Sequence, residues 1–328
     1  MLSAPQSKLT SMIKTPHPKR WGEKPYHSLD YELKHRFGEK IYKISLEGGM
    51  SCPNRDGTLG TGGCIFCSGK GSGDFASPLC GSITRQIDMG IAGISARKHV
   101  GDRFIAYFQS YTNTYAPVSV LEPLFMEAIS HPKIVILSVA TRPDCLPDDV
   151  LDLLSRCNQI KPVMVELELQ TIHENTAAYI RRGYDLPVYD EAVRELTARG
   201  IEVVTHVIAG LPWETKEMFL QTVSHVAHAG SHGIKLQLLH VLKGTDLADE
   251  YLEHKFQVLT KEEYLDWITS ALTVLPEDMV IHRLTGDGPK DLLLAPLWSS
   301  RKREVLNDLH KKMKEDALWQ SSRLPFTN

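Results

Sequence analysis

Residues 41–67 read "IYKISLEGGMSCPNRDGTLGTGGCIFC". A short apolar run of strand character (41–48) passes directly into a glycine-rich loop holding Cys52, Cys64 and Cys67, three of the six cysteines of the chain. From this point outward the sequence alternates. Further strand-like runs, rich in Val, Ile and Leu, lie at 103–109, 133–140, 162–170, 201–210 and 233–242. Helix-like segments separate them at 117–130, 147–157, 189–200 and 215–230, several closed by glycine. Such alternation predicts a parallel sheet with crossover helices, either partly closed into a barrel or open and doubly wound.

In parallel α/β architectures, binding sites collect at the carboxyl ends of the strands. The segment after each run here is polar or carries Gly or Pro: the cysteine loop, "SYTNTYAP" (110–117), "TRPD" (141–144), Gln170-Thr171, "GLPWE" (210–214) and "KGTD" (243–246). Together they predict one site on one rim. The expected organisation is a basic, irregular N-terminal segment (1–40), a catalytic body (41–245), and a C-terminal extension with a basic tail (246–328). Residues 1–43 carry nine Lys and Arg against four acids, and 301–314 carry six against two. Either run alone is a solvated face; two basic ends on one chain also suit a polyanion.

A composition of 42% hydrophobic and 23% charged residues is that of an ordinary globular protein. No stretch is apolar enough to span a membrane, and the N-terminus has no apolar signal region, so a cytoplasmic protein is expected. There, structural disulfides are disfavoured. Cys80, Cys145 and Cys157 read as small buried hydrophobes. The clustered three have three competing readings. Structural zinc closes its shell with four ligands, and the chain has one C-x-x-C with no second pair; Cys80 or His99 would have to complete it. A redox C-x-x-C leaves Cys52 without a purpose. An iron–sulfur cube held by three thiolates keeps one iron open for a ligand, and Gly57, Gly60, Gly62 and Gly63 let the backbone approach a bulky cluster.

With "GGMSCPNRDGT", "GGCIFCS", "GSGDFA", "AYFQSYTNTYAP", "SVATRPDCLPDDV", "ELELQT", "HVIAGLP", "LLHVLKGT" and "HRLTGDGP", the chain resembles the radical S-adenosylmethionine (SAM) superfamily over about residues 20–298. Within it, the likeness is to the YhcC/YtqA type, which is related to the Elongator catalytic subunit. The resemblance implies a partial (β/α)6 TIM-like barrel carrying a [4Fe-4S] cluster and SAM, which is cleaved reductively to a 5′-deoxyadenosyl radical. It implies Cys52, Cys64 and Cys67 as cluster ligands, in a spacing wider than the common C-x3-C-x2-C. Phe66 resembles the aromatic near adenine. Thr112, Asn113 and Thr114 resemble the motif that meets the SAM amino group. Gln170 and Thr171 stand on the ribose and carboxylate side, Arg182 matches a family arginine, and Ile208, Gly210 and Pro212 belong to the motif beside adenine. Two departures stand out. Glu168 replaces a usual Gly and, by alternation, shares a face with Glu166 and Gln170, so it is counted with the cofactor site; Arg181 and Tyr184 replace a usual Asn and His.

The same resemblance implies tRNA as the partner, with the wobble uridine taken from its 5-carboxymethylaminomethyl to its 5-aminomethyl form, and an electron donor such as flavodoxin or ferredoxin. Trp21, Tyr26, Tyr111, Tyr115, Trp213 and Trp298 are candidates for base stacking, each with an ordinary structural role as its alternative. Two other readings are a radical SAM enzyme acting on a small metabolite or a protein residue, and a zinc-stapled RNA-binding protein without catalysis. Glu166, His206, His240 and an Arg283–Asp287 ion pair also admit purely structural roles.

Overall fold

The computed structural model describes residues 19–69, 71, 81–286 and 288–324. Cys80, Asp287 and most of "GSGDFA" lie outside the described residues. In chain order come α1 (Leu29–Phe37), β1 (Tyr42–Leu46), α2 (Ile83–Ser95), β2 (Phe104–Phe108), α3 (Val118–Ser130), β3 (Ile134–Thr141) and α4 (Asp148–Ile160). Next are β4 (Val163–Gln170), α5 (Glu174–Tyr179), α6 (Leu186–Ala198), β5 (Glu202–Ala209), α7 (Lys216–His228) and β6 (Gly233–Leu238). The remaining elements are β7 (Val241–Leu242), α8 (Asp246–Leu252), α9 (Lys261–Val274), β8 (Val280–Arg283), β9 (Leu293–Ala295) and α10 (Lys302–Glu315).

Seven parallel strands form one sheet in the order β1-β2-β3-β4-β5-β6-β8. Ser45 of β1 and Arg283 of β8, at opposite edges of the sheet, line the same cavity, so the sheet is curled into a partial barrel. This is the architecture expected, with one strand more than six. The added strand, β8, comes from the C-terminal extension. Its outer edge is paired in turn by Ser28, while Ile281 N–H donates to the His27 carbonyl at 2.7 Å. Two local expectations are corrected. The run 233–242 is not one strand: it breaks after Leu238, and β7 pairs antiparallel with β9 in a separate ribbon. Nor is 1–40 irregular throughout, since α1 is a capped helix, with Ser28 accepting from Tyr31 N–H and Gly38 left-handed at φ 77°.

The outer face of the sheet is apolar and covered by helices. In α4, Val150, Leu151, Leu154 and Cys157 recur at helical spacing and are all buried against it. Inside, Ile105, Ile136 and Met164 form a plug with Ile41 and with Leu33 of α1. Above the plug the interior turns polar, and a cavity opens toward the carboxyl ends of the strands. The two ends of the chain meet: Tyr26 Oη bonds to His310 at 3.2 Å, and His27 N–H donates to Gln320 at 2.8 Å.

Candidate active site

The cavity measures about 480 Å³, and Cys52, Cys64 and Cys67 all line it. Their loop is held by its own residues. Asn54 Nδ2 donates to the Arg181 carbonyl at 2.6 Å and lies 3.5 Å from Cys64 Sγ, tying the thiol to the α5–α6 turn. Arg55 donates to the carbonyls of Cys67 (3.2 Å) and Ser68 (2.6 Å). Gly63, at φ 74°, passes so close to Arg55 that a Cβ there would stand 2.9 Å from the guanidinium. Thr112 bonds to the Cys52 thiol, whose pKa burial nevertheless pushes up. Cys67 donates to Cys64, which draws the Cys64 thiol down to about 7 and holds Cys67 well up.

Of the expected site residues, Phe66, Thr112, Glu168, Gln170, Arg182 and Ile208 also line the cavity. Asn113, Thr114, Thr171, Gly210 and Pro212 are not among its lining residues. Asn113 donates to the Ala140 carbonyl at 2.9 Å, Thr114 bonds to Thr141 and to the Cys145 carbonyl, and Thr171 donates to Glu214 at 2.5 Å. Gly210, at φ 84°, is packed against Leu259, and Pro212 is buried beside it. These residues build the wall behind the rim. Each nitrogen of the Arg182 guanidinium donates to protein: to the Tyr184 and Thr171 carbonyls and to Glu174. Arg182 therefore holds the turn after β4.

Backbone strain gathers at this rim. Tyr111, Gln170, Arg181 and Trp213 all take φ between 55° and 65°, a region that favours glycine. At Gln170 the β4–β5 register shifts, and its Oε1 is buried with no hydrogen-bond partner. Glu168 makes no side-chain hydrogen bond or ion pair among the described residues; burial, then the nearby Cys64, push its carboxyl up to about 7. Glu166, in contrast, is fully buried and saturated: Lys43 and Ser138 (2.8 Å) on Oε1, Lys235 and His206 (2.8 Å) on Oε2. These contacts give Glu166 a structural role, and His206, bonded to it, also lines the cavity. Trp21 and Tyr26 are buried, and Trp298 donates to the Leu259 carbonyl, whereas Trp213 is 62% exposed.

The sequence reading did not single out Arg55, Tyr107, Arg142, Lys235 or Gln237 as site residues, yet all line the cavity. The available signal was a lone charge inside an otherwise apolar strand, as with Lys235 in "GIKLQLL".

The arrangement fits the group that the cysteine pattern implies. Three thiols face one cavity, with an amide aimed at one sulfur and a glycine where a side chain would collide. Three thiolates at one cavity are the ligand set that a cube with one open iron takes. The orphaned Gln170 Oε1 is an acceptor of the kind a ligand hydroxyl or ammonium satisfies.

Comparison with known proteins agrees. The pattern of the Radical SAM superfamily matches residues 57–226, and that of the Radical_SAM C-terminal domain matches 231–315. YtqA of Bacillus subtilis (strain 168) is 43% identical over 309 residues, covering 94% of this chain and 96% of its own. YhcC of Escherichia coli (strain K12) is 37% identical over 292 residues, covering 89% and 93%. The structure of the archaeal Elp3 of Methanocaldococcus infernus superposes with a TM-score of 0.65 at 15% identity, covering 85% of this chain and 64% of that one, a likeness of fold. Curled parallel sheet, cysteine-bearing cavity and sequence kinship lead to one conclusion: the chain belongs to the radical SAM superfamily, whose enzymes work with a [4Fe-4S] cluster and SAM.

Proposed function

We propose that this radical SAM enzyme acts on the wobble uridine of tRNA, taking a 5-carboxymethylaminomethyl side chain to 5-aminomethyl, with Cys52, Cys64 and Cys67 as cluster ligands. The observation that carries the catalytic part is the convergence of these three thiols, Thr112 and the orphaned Gln170 amide on one cavity at the carboxyl ends of the strands. When bound, the reduced cluster and SAM supply a 5′-deoxyadenosyl radical that takes hydrogen from a substrate C–H. The chain's own part is to hold and to exclude. Asn54 and Arg55 fix the cysteine loop, and Gln170 and Thr112 offer polar contacts to SAM. Phe66 and Ile208 offer apolar surface to its adenine, and the buried strand interior keeps bulk water from the reacting centre.

For tRNA as substrate, the support is the whole-length kinship with the YtqA type and its resemblance to the Elongator catalytic subunit. The basic character of both chain ends, which Tyr26–His310 and His27–Gln320 join, is compatible with a phosphate backbone. In this reading exposed Trp213, packed edge-on against Tyr179 at 4.6 Å between ring centroids, stacks on a splayed base. In this reading a flavodoxin or ferredoxin supplies the electron and the protein works in the cytoplasm; among the described residues no helix is long and apolar enough to cross a membrane. The test is mass spectrometry of digested tRNA from cells lacking the gene. Accumulation of 5-carboxymethylaminomethyl-uridine with loss of the aminomethyl form, restored by the wild-type gene but not by Cys64→Ala, supports the reading. An unchanged uridine profile removes the tRNA substrate and leaves SAM cleavage to be measured by 5′-deoxyadenosine release.

A further inference from the structure

Cationic side chains line the cavity in two groups. Arg55 and Arg142 belong with the cysteines: Arg55 binds the loop, and Arg142 acts on both Cys52 and Cys64. Lys235 and Arg283 belong to the wall made by β6 and β8, where they are register partners on adjacent parallel strands and both line the cavity. Like charges side by side on neighbouring strands repel. Among the described residues they are also only partly compensated: Lys43, Lys235 and Arg283 are three cations against Glu166 and Glu168, even with Glu168 counted as ionised. Glu166 is already saturated by four partners.

Hydrogen-bond accounting gives the same answer. Lys235 is 3% exposed, and its ammonium spends one N–H on Tyr107 Oη (3.1 Å) and one on Glu166; its third has no partner among the described residues. Arg283 makes no hydrogen bond or ion pair among the described residues, and neither does the side-chain amide of Gln237, two residues along the same face of β6. Donors without acceptors, in a cavity with surplus positive charge, call for a ligand rich in acceptors. The titration of the wall agrees: burial, reinforced by Lys43 and Arg283 against the pull of Glu166, brings Lys235 down to about 7.

We propose that Lys235, Arg283 and Gln237 form a subsite for a substrate oxyanion, a carboxylate or a phosphate, on the cavity wall made by β6 and β8. This deepens the proposed function and rests on its premise that the cavity takes a substrate. The carboxymethyl group of the uridine is one such oxyanion, and an RNA phosphate is the other.

The test uses the anaerobically cluster-loaded protein with SAM. Its melting temperature is titrated with N-methylglycine and with inorganic phosphate against chloride at matched ionic strength. A ligand bound only by the native state raises the melting temperature by mass action, here by about 2 °C or more at tenfold excess over its dissociation constant. The rise is expected with one of the two anions and lost in Arg283→Gln; which anion raises it identifies the source. In a second arm, anticodon stem-loop RNAs carrying 5-carboxymethylaminomethyl-uridine, 5-aminomethyl-uridine or uridine are compared by anisotropy. A carboxylate source predicts at least tenfold preference for the first RNA, falling to within twofold in Arg283→Gln; a phosphate source predicts equal weakening of all three. Because Lys235→Met alone strands Glu166, the Lys235→Met/Glu166→Gln pair serves as the second variant and is expected to lose the same response. No anion-specific rise in the wild type, or equal rises in wild type and both variants, overturns the subsite. Unchanged tRNA in the deletion strain removes the wobble reading and leaves the anion titration standing.

Discussion

Glu166→Gln removes the carboxylate that Lys43 and Lys235 share in the barrel interior, while keeping the side chain's size. All four of its partners are present in the fold, and the residue is fully buried. Removing one partner of a buried ion pair costs about 3–5 kcal/mol, because the other charge is left desolvated. For a chain of 328 residues that corresponds to a fall in melting temperature of roughly 4–7 °C. The sign with pH is set by Lys235. Its folded pKa, about 7 against an ordinary 10.5, means that the wild-type native state keeps this proton below about pH 7. Without Glu166 the ammonium is disfavoured further, so the variant's native state has already lost the proton there, whereas its unfolded state still carries it. Variant stability therefore climbs more steeply with pH, and the deficit shrinks from pH 5.5 up to about 7 and is constant above. The assay is thermal unfolding of the cofactor-free protein at pH 5.5, 7 and 8.5, monitored by near-ultraviolet circular dichroism. A fall under about 2 °C at pH 5.5, or a deficit that widens with pH, refutes the reasoning. Lys235→Met added to Glu166→Gln is expected to recover part of the loss, since a well-packed apolar pair replaces a broken ionic one.

Cys64→Ala is expected to leave the fold intact and to lose bound iron and acid-labile sulfide, read by elemental analysis after anaerobic loading. Gly63→Ala should lower iron content in the same way without touching a thiol, because its Cβ meets Arg55 at 2.9 Å in a left-handed conformation; full loading would contradict that account. Gln170→Gly relieves a φ of 65°, so the cofactor-free protein should melt no lower than wild type, while SAM binding by equilibrium dialysis weakens several-fold. For Glu168→Gln the folded pKa of the wild-type group is raised, from 4.5 to about 7, so wild-type stability falls as pH rises across that window. The variant should gain in melting temperature relative to wild type from pH 4.5 to 7 and keep the gain above; no trend would show Glu168 to be compensated.

Much of the scaffold was legible because its determinants are local. Helix α4 declares itself by apolar residues at helical spacing, and β3, β4 and β5 by runs of Val, Ile and Leu between turn residues. Helix α1 escaped because nine residues with a single fully buried leucine carry little periodicity. The break between β6 and β7 escaped because an apolar run does not announce where it changes sheets; β9, more than fifty residues later, decides it.

The site divides along the same line. Cys52, Cys64 and Cys67, with their glycines, sit on one short loop, so their chemistry is written in spacing that the chain holds whatever the rest does. The cluster motif, the alternation of strands and helices, and the rim that bears the site all follow from local sequence. Which rim residues face the cavity and which, like Thr114 and Thr171, bond into the wall depends on the folded sheet. It alone joined Glu166 to Lys43 and Lys235 across the barrel and set Lys235 beside Arg283. Closure of the sheet brings residues more than a hundred positions apart within bonding distance, and burial then sets the strength of their charges. Neither is a property of any local stretch of chain.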